Sequence, residues 1–192
     1  MSMSTRWQTL RRRFVRPVGS IGIDFLDDRV YAVQLERGSQ AVELREVRSV
    51  RSGCPAEALL ASRSDLRRTL GDLFRGSRFQ GRRVVTRVLC EDLRLMVLSY
   101  KLDVGLTESE QILGLTRERM RDGLDGYVVD FLPIRTSGDQ QGDRSALVAV
   151  APEEPVIEQL ERLRKAGLRV EALEIAPVAI WRVFATLVNR PA

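Results

Sequence analysis

Few side chains in this sequence can carry covalent or acid–base chemistry. The chain has no histidine, which removes Ser-His and Cys-His nucleophilic catalysis and every histidine metal site. Cys54 and Cys90 stand alone with no CxxC spacing. They read as small apolar fillers in a reducing compartment. No catalytic residue and no metal-ligand set is expected. The one acidic cluster with a defined setting is Asp24, Asp27 and Asp28. Asp24 could hold a hydrated magnesium ion, but one carboxylate makes a weak site. It reads first as a polar residue satisfied near a strand end, with Asp27-Asp28 in a solvated turn. No Gly-x-x-x-x-Gly-Lys loop supplies another phosphate site.

The element that positions these acids is a hairpin. In GSIGIDFLDDRVYAVQLE, residues Gly19 to Glu36, Ile21, Ile23 and Phe25 alternate with Ser20, Gly22 and Asp24. Val30, Ala32 and Gln34 alternate in the same way with Tyr31, Val33 and Leu35. A period of two marks strands, and Leu26-Asp27-Asp28-Arg29 is the turn between them.

The 192 residues are 44% hydrophobic, ordinary for a chain that buries a core. The longest apolar run, near Val178 to Val188, is interrupted by Arg182 and Thr186 and is too short to span a bilayer. The net charge of +5 comes almost entirely from arginine. A basic balance invites anionic partners, yet acidic residues are interspersed over most of the chain. Residues 1–17 read as a basic amphipathic arm. Trp7, Leu10 and Phe14 fall at helical spacing among Arg11, Arg12 and Arg13, and Pro17 ends the pattern. Trp7, Arg11, Arg12, Arg13 and Phe14 are the candidates for contact with an anionic membrane surface. No signal peptide is expected in so arginine-rich a segment.

Downstream, Ala41–Val50 alternates as a third antiparallel strand. Leu59, Leu66, Leu70 and Leu73 form a helical stripe, with Ser62 and Ser64 as points of interruption and Gly76 as the stop. Arg83–Cys90 is a largely buried strand. A second unit follows. It has a strand at Leu93–Leu102, a helix opened by the Thr107/Glu110 capping box and running to about Leu124, and a strand at Tyr127–Ile134. A polar loop, Thr136–Asp143, then leads back to the first unit. There SALVAVA (Ser145–Ala151) is a strand, and Glu153–Ala166 a helix striped by Ile157, Leu160 and Leu163. Leu168–Ile175 is another strand and Ala176–Val188 a final helix. Short links in that order predict parallel pairing. The final helix is apolar on more than one side, which predicts self-association or a partner.

These motifs carry a resemblance. The IGID strand, its hairpin and the VYAVQLER strand resemble the opening of the FtsA/PilM/GspL actin-like ATPases, most closely the type IV pilus assembly (PilM) branch. The insert and the stretch LERLRKAGLRVEALEIAP are similar to the same family in the same order. The resemblance implies an α/β (mixed α+β) fold: an actin-like, ribonuclease H-like lobe with a mixed sheet and an inserted small strand-helix-strand subdomain. The lobe would comprise residues 18–90 and 144–192, the subdomain 91–143.

In that family the first turn reads Asp-x-Gly followed by Ser or Thr and holds nucleotide phosphates. Asp24 matches, as a residual nucleotide or metal position. Leu26, Asp27 and Asp28 stand where glycine and serine belong, a degenerate phosphate turn. Leucine does not replace the backbone freedom of glycine. A carboxylate about 4 Å from a phosphate oxygen is repelled by about 4 kcal/mol at an effective dielectric of 20. The family's second lobe would begin near Ala192, so one lobe and half a cleft are expected, without ATP or magnesium as cofactor.

The resemblance further implies a non-catalytic scaffold or adaptor of a type IV pilus or type II secretion inner-membrane platform, peripheral at the cytoplasmic face. Its partner would be a PilN-like bitopic membrane protein whose cytoplasmic peptide lies in a groove between lobe and subdomain. Leu95, Val97, Ile112 and Leu115 are the candidates in that groove. The alternatives are an ATP-binding lobe completed in trans, or a nucleic-acid binder using arginine clusters such as Arg67-Arg68 and Arg82-Arg83. No stacking platform or recognition helix supports the latter.

Overall fold

The computed structural model describes residues 18–38, 41–121, 123–134 and 143–180. The basic arm with Trp7, Arg11, Arg12, Arg13 and Phe14, the polar loop 135–142 and the final helix beyond Ile180 lie outside the described residues. The chain divides into two compact units, residues 1–88 with 160–192, and residues 89–159.

In the first unit β1 (Val18–Leu26) and β2 (Arg29–Arg37) form the expected hairpin, closed by Asp27 and Asp28. Asp27 takes φ +51°, a left-handed conformation that aspartate tolerates better than most side chains. β3 (Val42–Arg51) pairs antiparallel with β2, β4 (Arg83–Arg87) parallel with β1, and β8 (Arg169–Glu174) parallel with β4. The sheet order is β3-β2-β1-β4-β8. Ile21, Ile23, Phe25, Val30, Ala32 and Val84 are buried on one face.

The leucine stripe divides into two helices, α1 (Ala56–Ala61) and α2 (Arg63–Phe74), because Ser62 ends one and caps the other. Its hydroxyl accepts the Asp65 N–H, satisfying a donor at the start of α2 that the helix cannot. At the other end Arg48 donates to the carbonyls of Leu73 and Arg75, and Gly76 turns the chain at φ +64°. Leu59, Leu66, Leu70 and Leu73 are buried. Gln34, also buried, stays satisfied by donating to the Gly19 and Gln80 carbonyls and accepting from the Gln80 N–H.

The second unit holds β5 (Arg94–Lys101), α3 (Glu108–Arg119), β6 (Tyr127–Ile134) and β7 (Asp143–Pro152). Here the reading from sequence needs correcting. β7 does not rejoin the first sheet. It lies between β5 and β6, antiparallel to both. The subdomain is therefore strand-helix-strand-strand, and its compact unit runs from Leu89 to Gln159 rather than over 91–143. The alternation in SALVAVA has a physical role in this place. Ala146, Val148 and Val150 point into a core with Leu98, Tyr100, Ile112 and Met120, and Ser145, Leu147 and Ala149 alternate with them towards the other face.

Two helix readings also shift. α3 ends at Arg119, with Met120 in an extended conformation and Gly123 at positive φ, so it does not reach Leu124. α4 (Glu153–Lys165) buries Val156, Gln159 and Leu163, while Ile157 and Leu160 are exposed. Leu163 keeps its predicted place, while Val156 and Gln159 replace Ile157 and Leu160 on the inward side, where the Gln159 side chain accepts the Leu89 N–H at 3.0 Å.

Candidate functional site

The phosphate-turn residues lie at one end of the first sheet. β-ladder pairing continues to Leu26 and Arg29, so only Asp27 and Asp28 remain as loop. The Asp28 carbonyl accepts the Ser52 N–H at 2.7 Å, and Leu26 is 46% exposed. Where a phosphate needs converging N–H donors and space for the backbone to approach, this turn presents an aliphatic side chain and two carboxylates. The residues do not fit a bound triphosphate.

Asp24 has another partner. Its Oδ1 lies 2.7 Å from Nε of Arg87 on the adjacent strand β4. Charge holds the pair, without the alignment of a hydrogen bond. Arg87 also donates through Nη2 to the Phe25 carbonyl at 2.5 Å, which fixes the guanidinium against β1. The pair forms the polar wall of a cavity of about 390 Å³ over the open face of the sheet. Val33, Val47, Ala176, Ala179 and Ile180 supply apolar walls, and Thr86 and Glu174 also line it. Among the described residues no group of three Asp, Glu, Cys or His side chains is arranged to hold a metal ion.

The four residues taken as a partner groove are not brought together. Leu95 and Val97 are 41% and 55% exposed. They lie on the face of β5 opposite Met96, Leu98 and Tyr100, which face α3. Ile112 is fully buried in that core, and Leu115 packs at its margin. Strand alternation explains the split: α3 covers the even-numbered side of β5, so no surface contains Leu95, Val97 and Ile112 at once. The neighbours of Leu95 and Val97 are instead Ala149 and Leu147, their partners on β7. Beyond these lie Leu132 and the exposed Asp130 of β6, their partners across β7. Reading β7 into the first sheet hid them. Its alternation was visible, but not its address.

A mixed five-stranded sheet begun by an antiparallel hairpin and completed by parallel strands, with a small αβ unit inserted before the last of them, is the actin-like lobe. More narrowly, the chain has the fold of a PilM-type lobe. It is similar to a solved chain described as "PilM-PilN type IV pilus biogenesis complex", with 25% identity and a TM-score of 0.67 over 90% of this chain and 52% of that one. A second solved structure is Cyto-EpsL, the cytoplasmic domain of EpsL, an inner membrane component of the type II secretion system of Vibrio cholerae. It aligns at 17% identity and TM-score 0.42 over 81% of this chain and 56% of that one. The chain spans about half the length of these solved chains. No family model and no curated protein matches the sequence.

Proposed function

We propose that the chain is a non-catalytic adaptor in a pilus-type inner-membrane assembly platform, binding a cytoplasmic peptide of a PilN-like membrane protein. The observation that carries this reading is the likeness, over nine-tenths of the chain, to a chain from a PilM–PilN complex. Among the described residues no helix is long and apolar enough to cross a membrane.

The state of the nucleotide turn supports the non-catalytic part. Asp24 is engaged by Arg87, and Asp27 and Asp28 repel the phosphates that glycine and serine would welcome. The arginines support polypeptide over nucleic acid. Arg45, Arg68, Arg75, Arg78, Arg83 and Arg87 each face a carboxylate within ion-pair distance, which breaks up the positive field a duplex would need.

The test is a titration of the purified full chain with a labelled peptide of the PilN-like protein's cytoplasmic N-terminus, followed by anisotropy. Saturable binding with Kd on the order of 1–10 μM, about 7–8 kcal/mol, is expected. No ATP-magnesium thermal shift should accompany it. Absence of binding at several hundred micromolar overturns the adaptor reading, and a nucleotide-dependent rise in Tm overturns the non-catalytic one.

A further inference from the structure

An apolar sheet face is stable when another layer covers it. The first sheet turns Ile21, Ile23, Phe25 and Val30 into its core, and its opposite face is apolar as well. Cross-strand pairing sets Val47, Val33, Gly22, Val85 and Ala172 side by side, one from each of the five strands. Val33 and Val47 are exposed, and the other three are half-buried. Gly22, in the middle, has no side chain, so the row dips between Val33 and Val85. Val47, Val33, Gly22 and Val85 all line the cavity described above.

The chain itself arrives at this cavity. After β8, Val178 and Ala179 donate their N–H groups to the Ile175 carbonyl and open a helical turn. Val178 is buried, which fixes the rotation of that turn, and Ala176, Ala179 and Ile180 line the cavity. From Ile180 the sequence runs WRVFATLVNR to Pro191. Val183, Phe184 and Leu187 fall three, four and seven positions after Ile180, the spacing that continues one helical stripe. Arg182, Thr186 and Asn189 fall together on the opposite side. Ten residues of helix add about 15 Å, against about 19 Å across five strands. The segment has the length to cover most of the row, and it ends at a proline, where a helix stops.

We propose that residues 181–190 are the cover of this open face. The helix begun at Ala176 continues over the first sheet, and Val183, Phe184 and Leu187 fill the cavity above Gly22, Val33 and Val85. The occupant is this chain's own segment, not a second copy and not a partner. The face is thereby closed to other chains, and lifting the segment exposes an apolar patch that favours association. The proposal is independent of the peptide-binding reading.

The experiment follows amide hydrogen exchange of residues 181–190 in the full chain, with sedimentation of the same samples. A covering segment exchanges at least about tenfold more slowly than a free peptide of the same sequence. Val47→Asp places a charge in the cavity from an exposed position and should return the segment to within about threefold of the free-peptide rate, with β4 still protected. Phe184→Asp should do the same from the other side and make the monomer associate as concentration rises. Val128→Asp, exposed on the other sheet, should do neither. Free-peptide exchange of 181–190 in the parent overturns the proposal. Protection that Val47→Asp leaves intact means the segment lies elsewhere and also overturns it. A parent dimer that Val47→Asp disperses gives the face to a second copy. Protection of 181–190 that is present in the free chain and lost when the labelled peptide is added leaves the cover standing, whereas protection that appears only with the peptide gives the face to the partner and overturns the proposal.

Discussion

At Tyr100 three influences act on one hydroxyl. The ring is buried in the second unit's core, and the O–H donates to Glu108 Oε1 at 2.8 Å. Arg144 holds the same carboxylate oxygen at 2.9 Å. Burial first, and then the hydrogen bond and charge of Glu108, push the phenol up to about 12. An unfolded tyrosine ionises near pH ~10. The folded state thus retains a proton the unfolded state gives up. The resulting stability is complete below pH ~10 and is lost as pH rises towards 12, on the order of 2 kcal/mol. Ultraviolet titration of tyrosinate should show one late-ionising group. Tyr100→Phe should remove that step, flatten the alkaline fall in stability and cost about 1 kcal/mol at neutral pH for the lost bond. A late step that survives in the variant assigns it to another tyrosine. Asp24 is the contrasting residue. Its type was legible as a possible ion ligand, but its partner was not. Arg87 lies more than sixty positions away in sequence, and only the parallel pairing of β1 with β4 brings it alongside.

Local signals at the ends of elements were the most readable. Thr107 and Glu110 form the predicted capping box. The Thr107 hydroxyl accepts the Glu110 N–H, and the Glu110 carboxylate accepts the Thr107 N–H at 2.8 Å. The hydrogen bonds from the Thr107 side chain and backbone hold the Glu110 carboxyl below its usual 4.5. Thr107→Ala should destabilise the chain by about 1 kcal/mol in urea unfolding. Glu110→Gln keeps the reciprocal geometry and loses the ionisation. The advantage of the native residue over glutamine should therefore be present above pH 4.5 and vanish as pH falls through the lowered folded value. A difference that persists in acid would mean the carboxylate charge is irrelevant to the cap.

The β1–β2 hairpin and the Ser62 break were legible for the same reason: their causes lie within a few residues. β7 was not. An alternating apolar strand specifies which side chains go inward, not which sheet receives them. That choice depends on pairing with Arg94–Lys101 and Tyr127–Ile134, stretches that are distant in sequence or separated by a loop. The site failed to assemble on the same point. Leu95 and Val97 were rightly seen as strand residues, and Ile112 as a helix residue on the inner side. Only the register shows that α3 lies on the other face of β5.

At the scale of the whole chain, two hydrophobic cores share one polypeptide. One gathers Ile21, Ile23, Phe25, Val30, Leu66 and Leu70. The other gathers Leu98, Tyr100, Ile112, Met120, Ala146, Val148 and Val150. A cavity created in one core removes packing and transfer energy from the groups that line it. If each unit opens cooperatively on its own, the loss stays in that unit's hydrogen-exchange protection. Ile112→Ala should lower protection of β5, β6 and β7 by about 2–5 kcal/mol and leave β1, β2 and β4 within about 0.5 kcal/mol of the parent. Should alanine prevent folding, Ile112→Val makes the same comparison at about 0.5–1.5 kcal/mol. An equal fall in both groups of strands would mean that the two cores unfold as one. The distinction bears on function, because a unit that opens independently can adjust to a partner without loosening the hairpin that opens the first sheet.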